Sequence, residues 1–426
     1  MNAEKKNYAL PIAMMFALFF MISFVTGLPS PMGVIVAKQF GASNFESQLG
    51  FLANFLAYAF MGIPAGIMLK KFGYKKTALA AILVGFAGVG VQYLSGAVGS
   101  FSVYLTGAFI AGFSMCMLNT VVNPMLNTLG GGGNSGNKLL QFGGSINSVG
   151  ATITPMLVGY LMGAAAGRTI EKANPALILA MGIFALAFVV LFFVDIPEPH
   201  METASERKVK HKHSPLSFRH FTLGAIAIFI YVGIEIGIPS TANLFMTASN
   251  AARNAGLGMD ATTAGSIVGV YWLLMLVGRF TGASIGSKVS SKTMMIAVSS
   301  LGLLFILLAI ICPISLTITL PVLLTQVPVS IMFLVLCGLC TSIMWGSIFN
   351  LAVEGLGKYT AAAAGIFMVM VCGGGIVPLL QGFVSDHFGY INSYWVMFVC
   401  LGYMLFYGLI GSKNVNKDIP VEAEVI

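Results

Sequence analysis

The chain has 426 residues, 57% of them hydrophobic and only 8% charged, with a formal net charge of +8. A soluble domain carries about 25% charged residues, so a water-soluble enzyme or a nucleic-acid-binding protein is excluded and an integral membrane protein is implied. The positive balance is therefore read as membrane topology rather than attraction to an acidic partner.

Apolar runs of about 20 residues recur along the whole length, as membrane-crossing helices require, without the alternation of a barrel. Twelve spans are predicted, near 10–37, 48–70, 75–96, 101–125, 139–163, 175–195, 220–247, 262–286, 292–312, 324–350, 360–383 and 391–412. Basic residues precede the first run, but no small-residue cleavage site follows, so it is read as a retained helix. With the amino terminus inside, seventeen lysines and arginines fall on the cytoplasmic side, and Lys38, Arg168, Lys172 and Arg253 on the other. That asymmetry places both termini in the cytoplasm, with a bacterial inner membrane as the expected location.

Span 1 carries Gly27-Leu-Pro-Ser30, and span 7 repeats it as Gly237-Ile-Pro-Ser240. Proline lacks an N–H and clashes with the preceding turn, so Pro29, Pro31 and Pro239 are expected to break helices 1 and 7 at matching places. Span 4 sets Asn119, Asn123 and Asn127 at i, i+4 and i+8, one polar stripe on an apolar helix. Amides both donate and accept, which suits sugar hydroxyls without adding charge. The bland alternative is interhelical hydrogen bonding worth about 0.6 kcal/mol per contact. Asn127 falls near the cytoplasmic end. The glycine run Gly130–Gly133 lacks the Gly-Lys-Ser/Thr that phosphate binding needs and is read as a flexible loop. Span 5 offers Gln141, Ser145, Ser148 and Thr152 at helical spacing, with Asn147 beside them. The serines are read as packing; Gln141 and Asn147 either reach a cavity or pack.

The polar segment from Pro197 to His220 is read as a cytoplasmic linker, and its His211-x-His213 as part of a solvated charge run rather than a metal site. The predicted division is residues 1–196, a linker at 197–219, and 220–426. In span 7, Glu235 lies inside a run otherwise apolar enough to cross a bilayer. A charge at that depth costs about 2.5 to 3.5 kcal/mol or more and normally faces a bundle interior or a water-filled cavity. Three roles stay open for it: cation or proton coupling, direct sugar binding, or a structural hydrogen-bonded acid. Tyr231, one turn earlier, is a candidate partner. Arg279 in span 8 and Glu354 at the end of span 10 are expected to form a gate or structural ion pair. Trp345 lies one position from the repeat equivalent of Asn119, and Trp272 on span 8 is a second aromatic candidate. An indole against the apolar face of a pyranose, with amides on its hydroxyls, is how carbohydrate pockets are built. Gly62-x3-Gly66, Gly278-x3-Gly282 and Gly282-x3-Gly286 allow close helix approach. All six cysteines sit in apolar runs, so disulfides are not expected, and Cys337-Gly-Leu-Cys340 is read as packing.

The halves repeat in register. Gly27, Gly66 and Gly150-x4-Pro155-x3-Gly159 reappear as Gly237, Gly282 and Gly373-x4-Pro378-x3-Gly382, at offsets of 210, 216 and 223 residues. Six spans duplicated in parallel is the architecture of the major facilitator superfamily, in which substrate binds near the midplane between the halves. The loop Gly66-Ile-Met-Leu-Lys-Lys-Phe-Gly-Tyr-Lys-Lys76 resembles the superfamily's marker between spans 2 and 3, with Lys70 in place of the usual acid. Pro64–Lys75, Leu118-Asn-Thr-Val-Val-Asn-Pro124, Asn147-Ser-x-Gly-Ala151 and Gly373-Gly-Gly-Ile-Val-x4-Gly-Phe-Val-Ser-Asp386 are similar to the family of the L-fucose:proton symporter and its glucose/galactose-transporting relatives. By that resemblance the family's acids of spans 1 and 4 fall at Ser30 and Asn119, and its span-5 glutamine at Gly144. The proton-carrying carboxylates are thus missing.

The fold expected is an all-α membrane protein, twelve transmembrane helices in two six-helix bundles. The function expected is secondary active import of a neutral sugar by alternating access, coupled to H+ or Na+. Asn119, Asn123, Gln141, Asn147, Glu235, Trp272 and Trp345 are the candidate substrate contacts, with Glu235 and Ser30 for coupling. A facilitative uniporter and an exporter of apolar drug-like molecules are the alternatives. The partners implied are the sugar, the cation and the lipid bilayer; a monomer is expected, with no nucleic acid, cofactor or metal. An enzyme is not expected, because the two embedded acids lie far apart in sequence with no embedded histidine near either.

Overall fold

The structure is a computed structural model that describes residues 8–129, 133–161, 169–198, 213–249, 255–285, 289–320, 325–416 and 418–421. Sixteen α-helices make twelve crossings among the described residues. Lipid offers backbone amides no partner, so apolar runs of this length satisfy themselves as helices. Crossing 1 is α1 (Ala9–Gly27) with α2 (Pro29–Gln39); the short α3 (Asn44–Ser47) leads into α4 (Leu49–Phe72). There follow α5 (Tyr74–Val98), α6 (Phe101–Leu129), α7 (Gly133–Leu161) and α8 (Asn174–Phe193), which close the first half. The second half holds α9 (Arg219–Thr247), α10 (Ala261–Ile285) and α11 (Ser291–Ile311). Crossing 10 is α12 (Val329–Thr341) with α13 (Met344–Val353), crossing 11 is α14 (Thr360–Met370) with α15 (Gly373–Phe388), and crossing 12 is α16 (Tyr394–Phe406) with a π-turn, Tyr407–Gly411. Eleven crossings are long and apolar enough to span a bilayer. The exception is α7, which carries the polar set of span 5.

The side of the bundle where α1 begins is called proximal, and the side of α3 distal. A small antiparallel hairpin, β1 (Thr317–Leu320) with β2 (Thr325–Pro328), lies on the distal side with Thr317 opposite Pro328. Each half is held by backbone-on-backbone contact at glycines. A Cβ on Gly112 would collide with the Asn54 carbonyl, one on Gly338 with that of Tyr271, and one on Gly373 with that of Phe229. Of the predicted small-residue pairs, Gly62 lies against Val369, while Gly278 and Gly282 lie against Ser342 and Ile343. Gly66 meets nothing within 4 Å, and Gly286 is outside the described residues. The described cysteines are all free. Of the predicted glycine loop, 130–132 lie outside the described residues and α7 begins at Gly133; His211 is outside them too.

The helix breaks depart from expectation. Crossing 1 breaks at Leu28, as two prolines two residues apart require, and the Leu28 N–H tightens onto the Val25 carbonyl at 3.2 Å. Crossing 7 does not break: α9 runs unbroken through Pro239. The carbonyl that Pro239 cannot serve, four residues back, is that of Glu235, and the Tyr271 hydroxyl from α10 donates to it at 3.2 Å. A neighbour's hydroxyl therefore replaces the lost N–H, and the helix continues. Crossings 10 and 11 do break, at Ser342–Ile343 and Val371–Cys372, without a proline. At the first, Ser342 Oγ donates to the Leu339 carbonyl at 2.6 Å, and Thr341 Oγ1 to those of Cys337 and Gly338 at 3.2 Å. Such back-bonding competes with the helix ladder and bends helices.

The superfamily-like turn between α4 and α5 is made by Gly73 in the left-handed region, φ 84°. Its acid comes from the end of crossing 6: Glu198 accepts from the Tyr74 and Lys75 N–H groups at 2.5 and 3.0 Å. A carboxylate on the first N–H groups of α5 answers both the open donors and the helix dipole.

Candidate functional site

The two halves meet along α4 against α14–α15 and along α7 against α10. Contact is closest on the distal side. Asp386 at the end of α15 accepts from the Asn44 N–H through Oδ1 at 2.7 Å and from the Phe45 N–H through Oδ2 at 2.9 Å. Asn44 Nδ2 donates to Ser385 Oγ at 3.0 Å, and the Tyr390 hydroxyl donates to Asn44 Oδ1 at 2.7 Å. Burial pushes the Tyr390 phenol up to about 12, so it stays a donor across the physiological range. Gln48 Nε2 donates to Ser240 Oγ at 3.3 Å, Asn243 Nδ2 to Ser30 Oγ at 3.2 Å, and Thr262 Oγ1 to the Gly159 carbonyl at 3.4 Å. These bonds seal the distal end.

Below the seal lies a cavity of about 1280 Å³ between the halves. Its lining runs from Ser30 and Ser240 near the seal to Ser284, Ser291 and Asn350 near the proximal ends of their helices, so it opens proximally. Six of the proposed substrate contacts line it: Asn119, Asn123, Asn147, Glu235, Trp272 and Trp345. Ser30 lines it too. The side chains of Gln141 and Asn127 lie outside the described residues.

The first half presents amides. Asn119 Nδ2 donates to the Tyr58 hydroxyl at 3.0 Å and to the Met115 carbonyl at 3.1 Å. Asn123 Nδ2 donates to the Asn119 carbonyl at 2.7 Å and lies 3.5 Å from Asn119 Oδ1. Asn147 Nδ2 donates to the Phe19 carbonyl at 3.1 Å, which ties α7 to α1. Each amide thus spends its nitrogen on the protein; the Asn119 oxygen takes only the long contact from Asn123 and, with two lone pairs, can still accept from a ligand hydroxyl.

The second half presents aromatic faces and one charge pair. Trp345 follows the break in crossing 10, which turns it into the cavity wall, and its ring lies 6.2 Å from that of Tyr231. Trp272 stands edge-on to Tyr271, centroids 5.2 Å apart. Arg279 Nη2 lies 3.6 Å from Glu235 Oε1, with both side chains about 15% exposed, at 15% and 14%. Arg279 also crosses to the other half, where Nη1 donates to the Gly144 carbonyl at 2.6 Å and to Ser148 Oγ at 2.7 Å.

The expected Arg279–Glu354 pair is therefore corrected: Arg279 pairs with Glu235, and Glu354 is exposed, its carbonyl bonded to His220 Nε2 at 2.9 Å. The reason is reach. The guanidinium lies among acceptors in the cavity, whereas Glu354 follows the end of α13 in water. Tyr231 is buried beside the pair, but its hydroxyl has no partner at ordinary hydrogen-bond geometry. Ser148, read as packing, is instead an arginine ligand. Sequence reasoning missed Tyr58, Asn243 and the Asn44–Asp386 contact; Asp386 closes one of the family-like motifs, which was the available signal.

The profile of the Major Facilitator Superfamily matches residues 15–378. A glucose/galactose transporter of Brucella abortus is 29% identical over 419 residues, 97% of each chain. An L-fucose-proton symporter of Escherichia coli is 24% identical over 414 residues, 92% of this chain and 90% of that one. Among solved structures, the superfamily transporter FucP in the outward conformation overlays with a TM-score of 0.69 at 22% identity, over 96% of this chain and 100% of that one. A D-xylose-proton symporter overlays with a TM-score of 0.71 at 13% identity, over 95% and 99%.

Proposed function

The chain belongs to the Major Facilitator Superfamily, and from that premise we propose that it is a secondary active transporter importing a neutral sugar by alternating access, driven by a cation gradient. The observation that carries the reading is the cavity itself: three amides on one half face two indoles on the other, with one mutually neutralised charge pair. Amide oxygens suit sugar hydroxyls, and indole faces suit the C–H surface of a pyranose. Because Glu235 and Arg279 cancel, a neutral ligand enters without an uncompensated charge. The printed activities of the glucose/galactose and L-fucose relatives point to the same substrate class.

The positive-inside rule makes the proximal side cytoplasmic, so this is an inward-facing form with both termini inside, in the inner membrane of a bacterium. Residues 1–196 and 220–426 are the two moving halves and 197–219 the linker between them. One chain encloses one cavity, so a monomer suffices. Ser30 and Asn119 stand where the resembled family has acids, which leaves Glu235 as the only acid among the cavity-lining residues and hence the coupling group. Ser30, bonded to Asn243 across the halves, reports closure at the distal end. Whether the ion is H+, as named for the fucose and xylose relatives, or Na+ is decided by experiment.

The deciding measurement is uptake of a panel of labelled sugars into proteoliposomes under separately imposed Na+ and H+ gradients. Concentrative uptake of one neutral sugar under one gradient is expected. Equilibration without accumulation would make the protein a uniporter, and indifference to every sugar would favour export of apolar molecules. Asn119→Ala is expected to raise the half-saturating sugar concentration about tenfold, since it removes one ligand hydrogen bond and strands the Tyr58 hydroxyl. An unchanged value would remove Asn119 from the sugar site.

A further inference from the structure

Two amides of the cavity wall have their orientation fixed by backbone. A carbonyl oxygen accepts and cannot donate, so the atom that Asn119 turns to the Met115 carbonyl at 3.1 Å is its nitrogen. The same holds for Asn123 against the Asn119 carbonyl at 2.7 Å. The Asn119 nitrogen also lies 3.0 Å from the Tyr58 hydroxyl. An amide nitrogen only donates, so the phenol oxygen is the acceptor in that bond and its own proton points elsewhere. Among the described residues that proton meets no acceptor.

The surroundings of Tyr58 leave one destination for it. On α4, Phe51, Phe55 and Tyr58 stand at i, i+4 and i+7 and line the cavity together, and Tyr58 alone of the three is polar. Its side chain is buried and stacks on Phe55 with centroids 5.9 Å apart, so the ring is held in place. Asn119, itself in the cavity wall, anchors the oxygen. A buried donor left unpaired is costly, so water takes the proton between substrates and a ligand oxygen displaces that water on binding. Both N–H groups of Asn119 are spent, on Met115 and Tyr58, and the Asn123 nitrogen faces Asn119 oxygens at 2.7 and 3.5 Å. Of Tyr58, Asn119 and Asn123, the amides therefore offer a sugar only acceptors, and the tyrosine offers the donor.

We propose that Tyr58 is a specificity-determining residue of the sugar site: its O–H donates to one sugar oxygen, so the substrate must accept a hydrogen bond there, while its hydroxyls against Asn119 and Asn123 must donate. The inference rests on the reading of the cavity as a sugar site and is independent of the coupling acid. Fluorine separates the two demands. A C–F group in place of C–OH accepts weakly and donates nothing, whereas a deoxy carbon does neither.

The test is exchange of labelled D-glucose, D-galactose or L-fucose across proteoliposomes holding the full-length protein. Monodeoxy and monofluoro derivatives at each carbon, and a carbasugar lacking the ring oxygen, compete with the label, and the half-inhibitory concentration of each is read. In the parent, removal of one particular oxygen is expected to cost about tenfold. If that oxygen belongs to a hydroxyl, fluorine in its place should cost clearly less, whereas at positions facing the amides fluorine and deoxy should cost alike. Tyr58→Phe is expected to raise the half-saturating concentration of the parent sugar about tenfold and to erase that one preference, so that the analogue lacking the oxygen binds as well as the parent sugar. Asn119→Ala, which leaves the Tyr58 proton in place, should weaken binding and keep the preference. Should Tyr58→Phe not fold, Tyr58→Met supplies the same reading. A Tyr58 variant that ranks every analogue in the parent's order and ratios overturns the proposal, because a purely structural tyrosine would scale all the values together. A parent series with no such position overturns it as well. Failure of the underlying reading looks different: the parent would then exchange none of the three sugars, and the inference would fall with it.

Discussion

Glu235→Gln is expected to abolish gradient-driven accumulation of sugar while exchange of internal for external sugar continues. A glutamine keeps the size and hydrogen-bonding capacity of the side chain, so the amides and indoles that hold the sugar remain. It binds neither a proton nor Na+ with the strength of a carboxylate, so the sugar's passage is no longer tied to an ion. The substitution has a second effect, because it leaves the largely buried Arg279 beside a neutral amide. Removing one partner of a buried pair costs about 3 to 5 kcal/mol. That figure is an upper bound here, since two acceptors from α7 still bind the guanidinium. A lowered melting temperature is therefore expected alongside the transport defect. Glu235→Gln with Arg279→Gln separates the two effects: it should recover thermal stability but not accumulation. The unpaired guanidinium of the single variant also makes the cavity net positive, so uronic acids should inhibit its exchange more strongly than they inhibit the parent. Accumulation equal to the parent's would remove Glu235 from coupling.

The second large effect is expected at the opposite end of the cavity. Asp386→Ala removes both acceptors that join α15 to the backbone of Asn44 and Phe45 across the distal seal. Hydrogen bonds to a charged group contribute about 1.5 to 3 kcal/mol each. Losing two, partly offset by water, shifts the balance between the two access states by a factor on the order of 10 to 100 towards distal opening. The bonds that remain, those of Asn44 to Ser385 and Tyr390 and the Gln48–Ser240, Asn243–Ser30 and Thr262–Gly159 contacts, involve no charged group and hold the seal less strongly. Spin labels at Phe40→Cys and Phe388→Cys, exposed positions on the distal side of the two halves, report it by their separation. A longer distance in the Asp386→Ala background is expected, with a lower half-saturating concentration for sugar presented outside. An unchanged distance distribution would mean the seal is held by helix packing, as where Gly382 lies against the Asn44 carbonyl. The measurement needs no substrate, so it stands apart from the identity of the sugar.

Much of this was legible in the chain itself. Composition forced a membrane protein, the length of the apolar runs set the number of crossings, and the drifting repeat from Gly27 to Gly382 implied two like halves. A lone acid in span 7 and an asparagine stripe in span 4 stood out because polar groups are costly in hydrocarbon, and Glu235, Asn119 and Asn123 line the cavity. Where local sequence was read as local geometry, it failed. Pro239 was expected to break its helix as Pro29 and Pro31 break theirs, but Tyr271, a residue on another helix, serves the orphaned carbonyl. The proline-free break before Trp345 had no strong local sign, since it depends on serine and threonine hydroxyls folding back onto their own helix.

Sequence by itself therefore determined what must be buried, what must cross the membrane, and which polar side chains could not face lipid, because the cost of leaving a polar atom unpartnered in hydrocarbon is set by the atom itself. Tertiary structure alone decided who meets whom. The partner of Arg279, the seal between Asp386 and Asn44, and the side on which the cavity opens all depend on the rotation and tilt of whole helices against one another. No periodicity records those angles, since they are set by the summed packing of many side chains across the two halves.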